Sequence, residues 1–186
     1  MELDLKVRLP KRPRLKNFDY TGTYAYSITI LTKDRFARFK EVDVVSHLID
    51  ILAETAGSGN FNVLAYCFMP DHLHLLVSGK DNQSNLKKFI SLFKQRSGYW
   101  FKKRYDENLW HISYYDHTLR KEEDIEKVAL YILQNPVRKG LVSDFREYTF
   151  SGSFVAQPFK VTQNHNCFII ILKRVQRSHQ FIIKQV

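Results

Sequence analysis

Apolar and polar positions along this chain switch between two periods. Residues 22–32 are dense in β-branched and aromatic side chains and predict a first strand. In residues 41–56, Val44, Val45, Leu48, Ile51 and Leu52 recur at helical spacing, and Gly57-Ser58-Gly59-Asn60 follows as a stop and turn. Phe61 to Met69 reads as a second strand, Pro70-Asp71 as a short break, and His72 to Ser78 as a third strand. Ser84 is placed to cap the next helix, in which Leu86, Phe89, Ile90 and Phe93 form the clearest apolar stripe of the chain. An aromatic-rich run, Leu109 to Leu119, predicts a fourth strand. Glu122, Glu123 and Asp124 then open a last helix, where carboxylates suit the positive end of the dipole. Its buried stripe is Ile125, Val128, Ala129 and Ile132, and Pro136 and Gly140 close it. Residues 141–158 read as a compact irregular segment.

The third strand carries the candidate chemistry. Side chains alternate faces on a strand, so His72 and His74 share one face while Leu73, Leu75 and Val77 enter a core. Two adjacent imidazoles make a divalent-metal site with room for more ligands. Taken alone, the pair is equally compatible with solvated or hydrogen-bonded histidines. On the last helix, Tyr131 lies just off the buried stripe, with Lys127 and Asn135 four residues away on either side. An isolated tyrosine there would be a boundary residue with a packed ring and a wet hydroxyl. His111 and His117 are six residues apart and need not meet; structural or substrate-contacting roles fit them.

Charge narrows the function. The formal net charge is +10 over 186 residues, an excess that points to a polyanion, most commonly nucleic acid. Residues 1–17 hold six basic side chains, Arg12 and Arg14 among them, and Pro10 and Pro13 keep them extended. They fit an arm that follows a phosphate backbone or a disordered terminus. From Ser84 to Tyr105 there is no acid, while Lys87, Lys88, Lys94, Arg96, Lys102 and Lys103 decorate the helix. Without i, i+4 acids to neutralise them, these lysines read as a phosphate-binding face. The last stretch, 159–186, has five basic residues and no acid, which admits an edge strand, a wrap around a partner subunit or a loosely ordered tail.

The length fits one domain, 1–158, followed by this basic tail. Cys67 and Cys167 are far apart and lack CxxC partners, which argues against a zinc–cysteine site or a disulfide framework and fits a reducing compartment. No apolar run reaches membrane-spanning length and no signal peptide is expected, so a membrane partner is not predicted. There is no repeat, P-loop or GxGxxG.

Met69-Pro-Asp-His-Leu-His-Leu-Leu76, followed 55 residues later by Tyr131-Ile-Leu-Gln-Asn-Pro-Val-Arg-Lys-Gly-Leu-Val142, resembles the single-tyrosine HUH transposases. More narrowly it resembles the REP-associated tyrosine transposases of the insertion-sequence-200-like superfamily. Leu109-Trp110-His111 through Tyr115-Asp116-His117 to Leu119-Arg120 is similar to their strand before the catalytic helix, and the likeness runs from about Tyr20 to Phe154. The resemblance implies an α+β, ferredoxin-like fold, an antiparallel sheet backed by helices. It implies Mg²⁺ or Mn²⁺ held by His72, His74 and a third ligand, Asn135. Gln134 is the fallback, because Pro136 biases Asn135 away from helical dihedrals. It implies a Tyr131 nucleophile that leaves a 5′-phosphotyrosyl enzyme and a free 3′-OH without ATP. A phenol titrates near 10, so a cation or metal must assist, and Lys127 is a candidate. Arg138 joins Arg12, Arg14 and the helix lysines as expected DNA contacts. The implied partners are single-stranded or hairpin DNA and a possible second copy, in the prokaryotic cytoplasm, nucleoid-associated. Two other readings compete. One is a domesticated, catalytically silent nucleic-acid-binding module. The other is a different His-x-His hydrolase, which lacks support because position 76 is Leu, not a third alternating His, and His111-Ile112-Ser113 is a chance-level match to a second motif.

Overall fold

The structure is a computed structural model that describes residues 17–120 and 124–155, together with the backbone of 158–163, 166–171 and 182–185. Arg12 and Arg14, Glu122 and Glu123 lie outside the described residues.

The elements run β1 (Ala25–Leu31), α1 (Val42–Ser58), β2 (Phe61–Met69), β3 (His72–Gly79), α2 (Leu86–Tyr105), β4 (Tyr115–Thr118), α3 (Ile125–Leu133), α4 (Asn135–Arg138) and β5 (Ser151–Gly152). The five strands form one antiparallel sheet in the order β4-β1-β3-β2-β5. β1-α1-β2 and β3-α2-β4 are two crossovers that each skip a strand, and the hairpin β2–β3 joins them. This is the ferredoxin-like arrangement expected from the sequence, with β5 added at one edge.

Alternation along the strands decides which face each helix covers. Tyr26, Ile28 and Ile30 of β1, and Leu73, Leu75 and Val77 of β3, share a buried cluster with Val45, Leu48 and Leu52 of α1 and Phe89, Ile90 and Phe93 of α2. On the other face, Ala65, Cys67 and Leu76 pack against Ala129, Ile132 and Leu133 of α3. α1 and α2 therefore lie on one side of the sheet. α3 lies on the other, the side that carries His72 and His74.

Three local expectations are corrected. Ser84 does not cap α2; its buried hydroxyl donates to Asn60 O at 2.7 Å and accepts from Lys80 N–H, closing the turn after β3. The cap is Asn85, whose side chain accepts the Lys88 N–H at 3.0 Å. The fourth strand is continuous only over Tyr115–Thr118: Trp110 still bridges Thr32 beyond β1, and the run leaves the ladder at 112–114, beside the carbonyls of His111 and Ile112 that Lys94 Nζ holds at 2.8 and 2.9 Å. The buried stripe of α3 is shifted to Ala129, Ile132 and Leu133, while Ile125 is exposed, since only the C-terminal half of the helix reaches the sheet. Beyond the irregular segment, β6 (Pro158–Gln163), β7 (Asn166–Ile171) and β8 (Ile182–Gln185) form an antiparallel sheet of their own rather than an edge strand of the main one.

Candidate metal and nucleophile site

β3 is the middle strand, so its histidines are positioned by ladders on both sides. His74 faces Thr29 on β1 and Cys67 on β2; His72 faces Leu31 and Met69. The two rings meet edge to face with centroids 4.6 Å apart, and their Nε2 atoms are 3.0 Å from each other. Each outer nitrogen has a partner. His72 Nδ1 lies 2.6 Å from Asp71 Oδ1, and His74 Nδ1 lies 3.0 Å from Thr29 Oγ1. The hydrogen bond to His72 holds the Asp71 carboxyl below its usual range, and Arg35, 3.6 Å away, adds to the effect. An ionised Asp71 only accepts, so His72 Nδ1 carries the proton, and in the neutral ring the lone pair then lies on Nε2.

Burial, then the neighbouring His72 and Arg138, lower the His74 pKa to about 3, so this ring is neutral. Thr29 can serve it in two ways. Its hydroxyl can donate to His74 Nδ1, leaving an Nε2–H to bridge to His72. It can instead accept from Nδ1–H, freeing both Nε2 atoms for an ion. Two nitrogens bound at about 2.1 Å and at right angles on one ion would be about 3 Å apart. The pair therefore fits a divalent cation, with Asp71 and Thr29 as the outer partners that orient each ring. Among the described residues no group of three His, Cys, Asp or Glu side chains completes such a site. Cys67 is no substitute, because burial pushes its thiol up to about 12.

The tyrosine helix, α3, packs on the same face of the sheet as the histidines. Asp124 caps α3, accepting the N–H groups of Glu126 and Lys127. The helix ends at Leu133 because Pro136 has no N–H to give the carbonyl of Ile132. Asn135 repairs the end: its Nδ2 donates to Ile132 O at 3.1 Å and to Tyr131 O at 3.2 Å. Chain direction is then regained in α4, and Arg138 folds back. Its guanidinium stacks on the Tyr131 ring at 3.8 Å, donates to Tyr131 O at 3.0 Å and donates to Asn135 Oδ1 at 2.9 Å. Arg138 is also close enough to His74 and Cys67 to act on both electrostatically.

Tyr131, Asn135 and Arg138 thus form one cluster near the His pair. The Tyr131 side chain is 59% exposed, and its hydroxyl has no hydrogen bond among the described residues. Asn135 is buried, with Oδ1 engaged by Arg138; Gln134 is partly buried at the end of α3. Lys127 stands apart, exposed and paired with Asp124 at 3.7 Å. Lys87, Lys88, Arg96, Lys102 and Lys103 are exposed on α2, across the sheet from the histidines, whereas Lys94 is tied to backbone carbonyls. His117 faces Ser27 on the histidine side, and His111 sits beyond the end of β1 with Nδ1 accepting the Ser113 N–H at 3.2 Å. Sequence reasoning missed Thr29 and Asp71 as ring partners and Arg138 as the cation on Tyr131. An acid directly before the first histidine was the available signal for Asp71. Nothing local pointed to Thr29, which meets His74 only through strand register.

The sequence model of the IS200-like transposases matches residues 21–135, a span that contains β1 to β4, both histidines and Tyr131. The chain belongs to the IS200-like transposase family. A Haemophilus influenzae protein assigned to the REP-associated tyrosine transposases is 26% identical over 145 residues, 72% of this chain and 82% of that protein. A solved REP-associated tyrosine transposase bound to a REP hairpin superposes with a TM-score of 0.63 at 17% identity, covering 75% of this chain and 81% of its own. That likeness establishes the fold. Within this IS200-like chain, β3 and α3 are the elements that carry the histidines and the tyrosine. No helix among the described residues is long and apolar enough to cross a membrane.

Proposed function

We propose that this transposase-family chain nicks and rejoins single-stranded or hairpin DNA through a covalent phosphotyrosine at Tyr131. One observation carries the reading. An exposed tyrosine hydroxyl, its ring under a guanidinium, stands on the same side of the sheet as two converging imidazoles. The REP hairpin bound by the solved structural relative supports hairpin DNA as the substrate class.

The Tyr131 oxygen forms a bond to phosphorus and the bond from phosphorus to the 3′ oxygen breaks. The phenolic proton balances the departing 3′ alkoxide. The product is a 5′-phosphotyrosyl enzyme and a free 3′-OH, so the phosphodiester bond energy is kept for rejoining. A phenol is largely protonated near neutral pH and needs help to attack. Arg138, face-on to the ring, offsets negative charge as it develops there. His72 and His74, with Asn135 or Gln134 as a third donor, would hold Mg²⁺ or Mn²⁺. Such an ion, when bound, polarises the scissile phosphate as a Lewis acid. For Asn135 to join, its Oδ1 would offer the lone pair that Arg138 leaves free. Lys127 keeps its place four residues before Tyr131, where Asp124 competes for it.

The test is a pool of end-labelled hairpin oligonucleotides incubated with the protein and Mg²⁺ or Mn²⁺, then run on a denaturing protein gel. Label should migrate with the wild-type chain and be absent from Tyr131→Phe. His72→Ala should lose both the adduct and Mn²⁺ binding followed by calorimetry. Cleavage that persists in Tyr131→Phe would overturn the proposal in favour of a metal-activated water. Binding with neither cleavage nor adduct would favour a silent nucleic-acid module.

A further inference from the structure

A groove of about 690 Å³ runs between the C-terminal half of α2 and the segment 108–112. Its floor is firmly built. The Trp110 ring packs against Phe39 and Phe93, with centroids at 5.5 and 5.7 Å, and its Nε1 donates to Ser97 Oγ at 2.8 Å. Lys94 is committed to the floor through the carbonyls of His111 and Ile112. The rim is different. Tyr99 is 71% exposed and Ile112 93%. Lys33 and Lys102 are exposed, and neither ammonium group has an ion pair or hydrogen bond among the described residues. Asp34 also lines the groove, but α2 itself contributes no acid.

Solvated lysines alone would mean little. Here two uncommitted ammonium groups share a concave surface with an uncovered aromatic ring and an uncovered isoleucine. A basic groove with exposed stacking surface is the combination that binds single-stranded nucleic acid. Its position points the same way. Lys33 lies two residues beyond Leu31, the cross-strand partner of His72, and the His111 N–H donates to Leu31 O at 2.9 Å. The groove therefore opens at the His72 end of the sheet, one strand away from the imidazoles.

We propose that this groove binds the single strand that continues from the nucleotide attacked by Tyr131, with Lys33 and Lys102 at phosphates and a base stacked on Tyr99. The strand would pass round the end of β1, from the histidine face to the α2 face. This inference rests on the function proposed above, and its test separates the two.

The full chain is titrated by fluorescence anisotropy with hairpins that carry a single-stranded flank on the 5′ side, on the 3′ side or on neither. One flank should tighten binding. Tyr99→Ala should weaken that flanked complex by about tenfold. The double variant Lys33→Gln, Lys102→Gln should lower the slope of log affinity against log salt by about 1.4, two single-strand phosphates. Blunt hairpins should bind the wild type and Tyr99→Ala alike, and the double variant should lose more affinity for the flanked hairpin than for the blunt one. A flank that adds no affinity, or a gain that survives both variants, overturns the groove. Displacement of the flank by an acidic peptide as readily as by a single-stranded oligonucleotide overturns its assignment to nucleic acid. Adduct formation on the same oligonucleotides is scored separately. Adduct with no effect of the variants sinks the groove alone, while variant-sensitive flank binding with no adduct sinks the chemistry and leaves the groove.

Discussion

Successive residues of β3 part company at the sheet. Leu73, Leu75 and Val77 are fully buried under α1 and α2, in a cluster rich in phenylalanine. His72 and His74 face the other way, where only the C-terminal half of α3 reaches the sheet and polar atoms remain accessible. One strand thus serves packing with one set of side chains and chemistry with the next. The lesson is about rigidity. The histidines are held by the same ladders that align the core, so the site inherits the precision of the sheet, while the tyrosine sits on a short helix tied to the sheet through Ala129, Ile132 and Leu133.

The comparison breaks most visibly on the core side. Leu75→Ala should cost about 2–5 kcal/mol of stability, read from urea denaturation, because it leaves a cavity under two helices. Tyr131→Phe, on an exposed side chain, should leave the same transition almost unmoved while removing the adduct. A finer probe lies within the open face. Arg138→Ala should slow single-turnover adduct formation roughly tenfold, in proportion to a partly desolvated cation–π contact. Arg138→Lys should recover little of it, since an ammonium cannot stack on Tyr131 and bond two oxygens at once. An Arg138→Lys enzyme with the wild-type rate would show that charge alone suffices. The smallest effect belongs to the closed side again. Asn85→Ala removes the α2 cap and should cost about 1 kcal/mol in thermal unfolding, with adduct yield unchanged.

Much of this contrast could be read from the sequence. The alternation of His72, Leu73, His74 and Leu75 told which residues face which way, and β2 was legible from end to end because Gly57-Ser58-Gly59-Asn60 precedes it and Pro70-Asp71 follows it. What failed depended on distant contacts. Ser84 and Asn85 are both good caps, and only the turn from Asn60 to Asp81 decides between them. The fourth strand looked longer because its aromatic run continues; it is broken at 112–114, beside the carbonyls that Lys94 on α2 holds. Arg138 was legible as a basic residue and not as a partner of Tyr131. On an unbroken helix, seven residues span about 10.5 Å along the axis. Pro136 breaks that geometry, and the return of the guanidinium follows from the break. The basic tail offered several readings, and the pairing of β6, β7 and β8 depends on contacts between its own segments.

The rims of the main sheet have a consequence for how copies of this chain could associate. Along β1, the carbonyls of Ala25 and Leu31 are claimed by the N–H groups of Leu119 and His111, with β4 paired between them. Along β2, Phe68 N–H donates to Phe150 O, Phe154 N–H donates to Val63 O, and the Tyr148 hydroxyl donates to Phe68 O at 2.7 Å. The main sheet thus ends in a strand of four residues at one border and of two residues at the other. A strand added at either border would meet only a short run of backbone and gain few ladder hydrogen bonds.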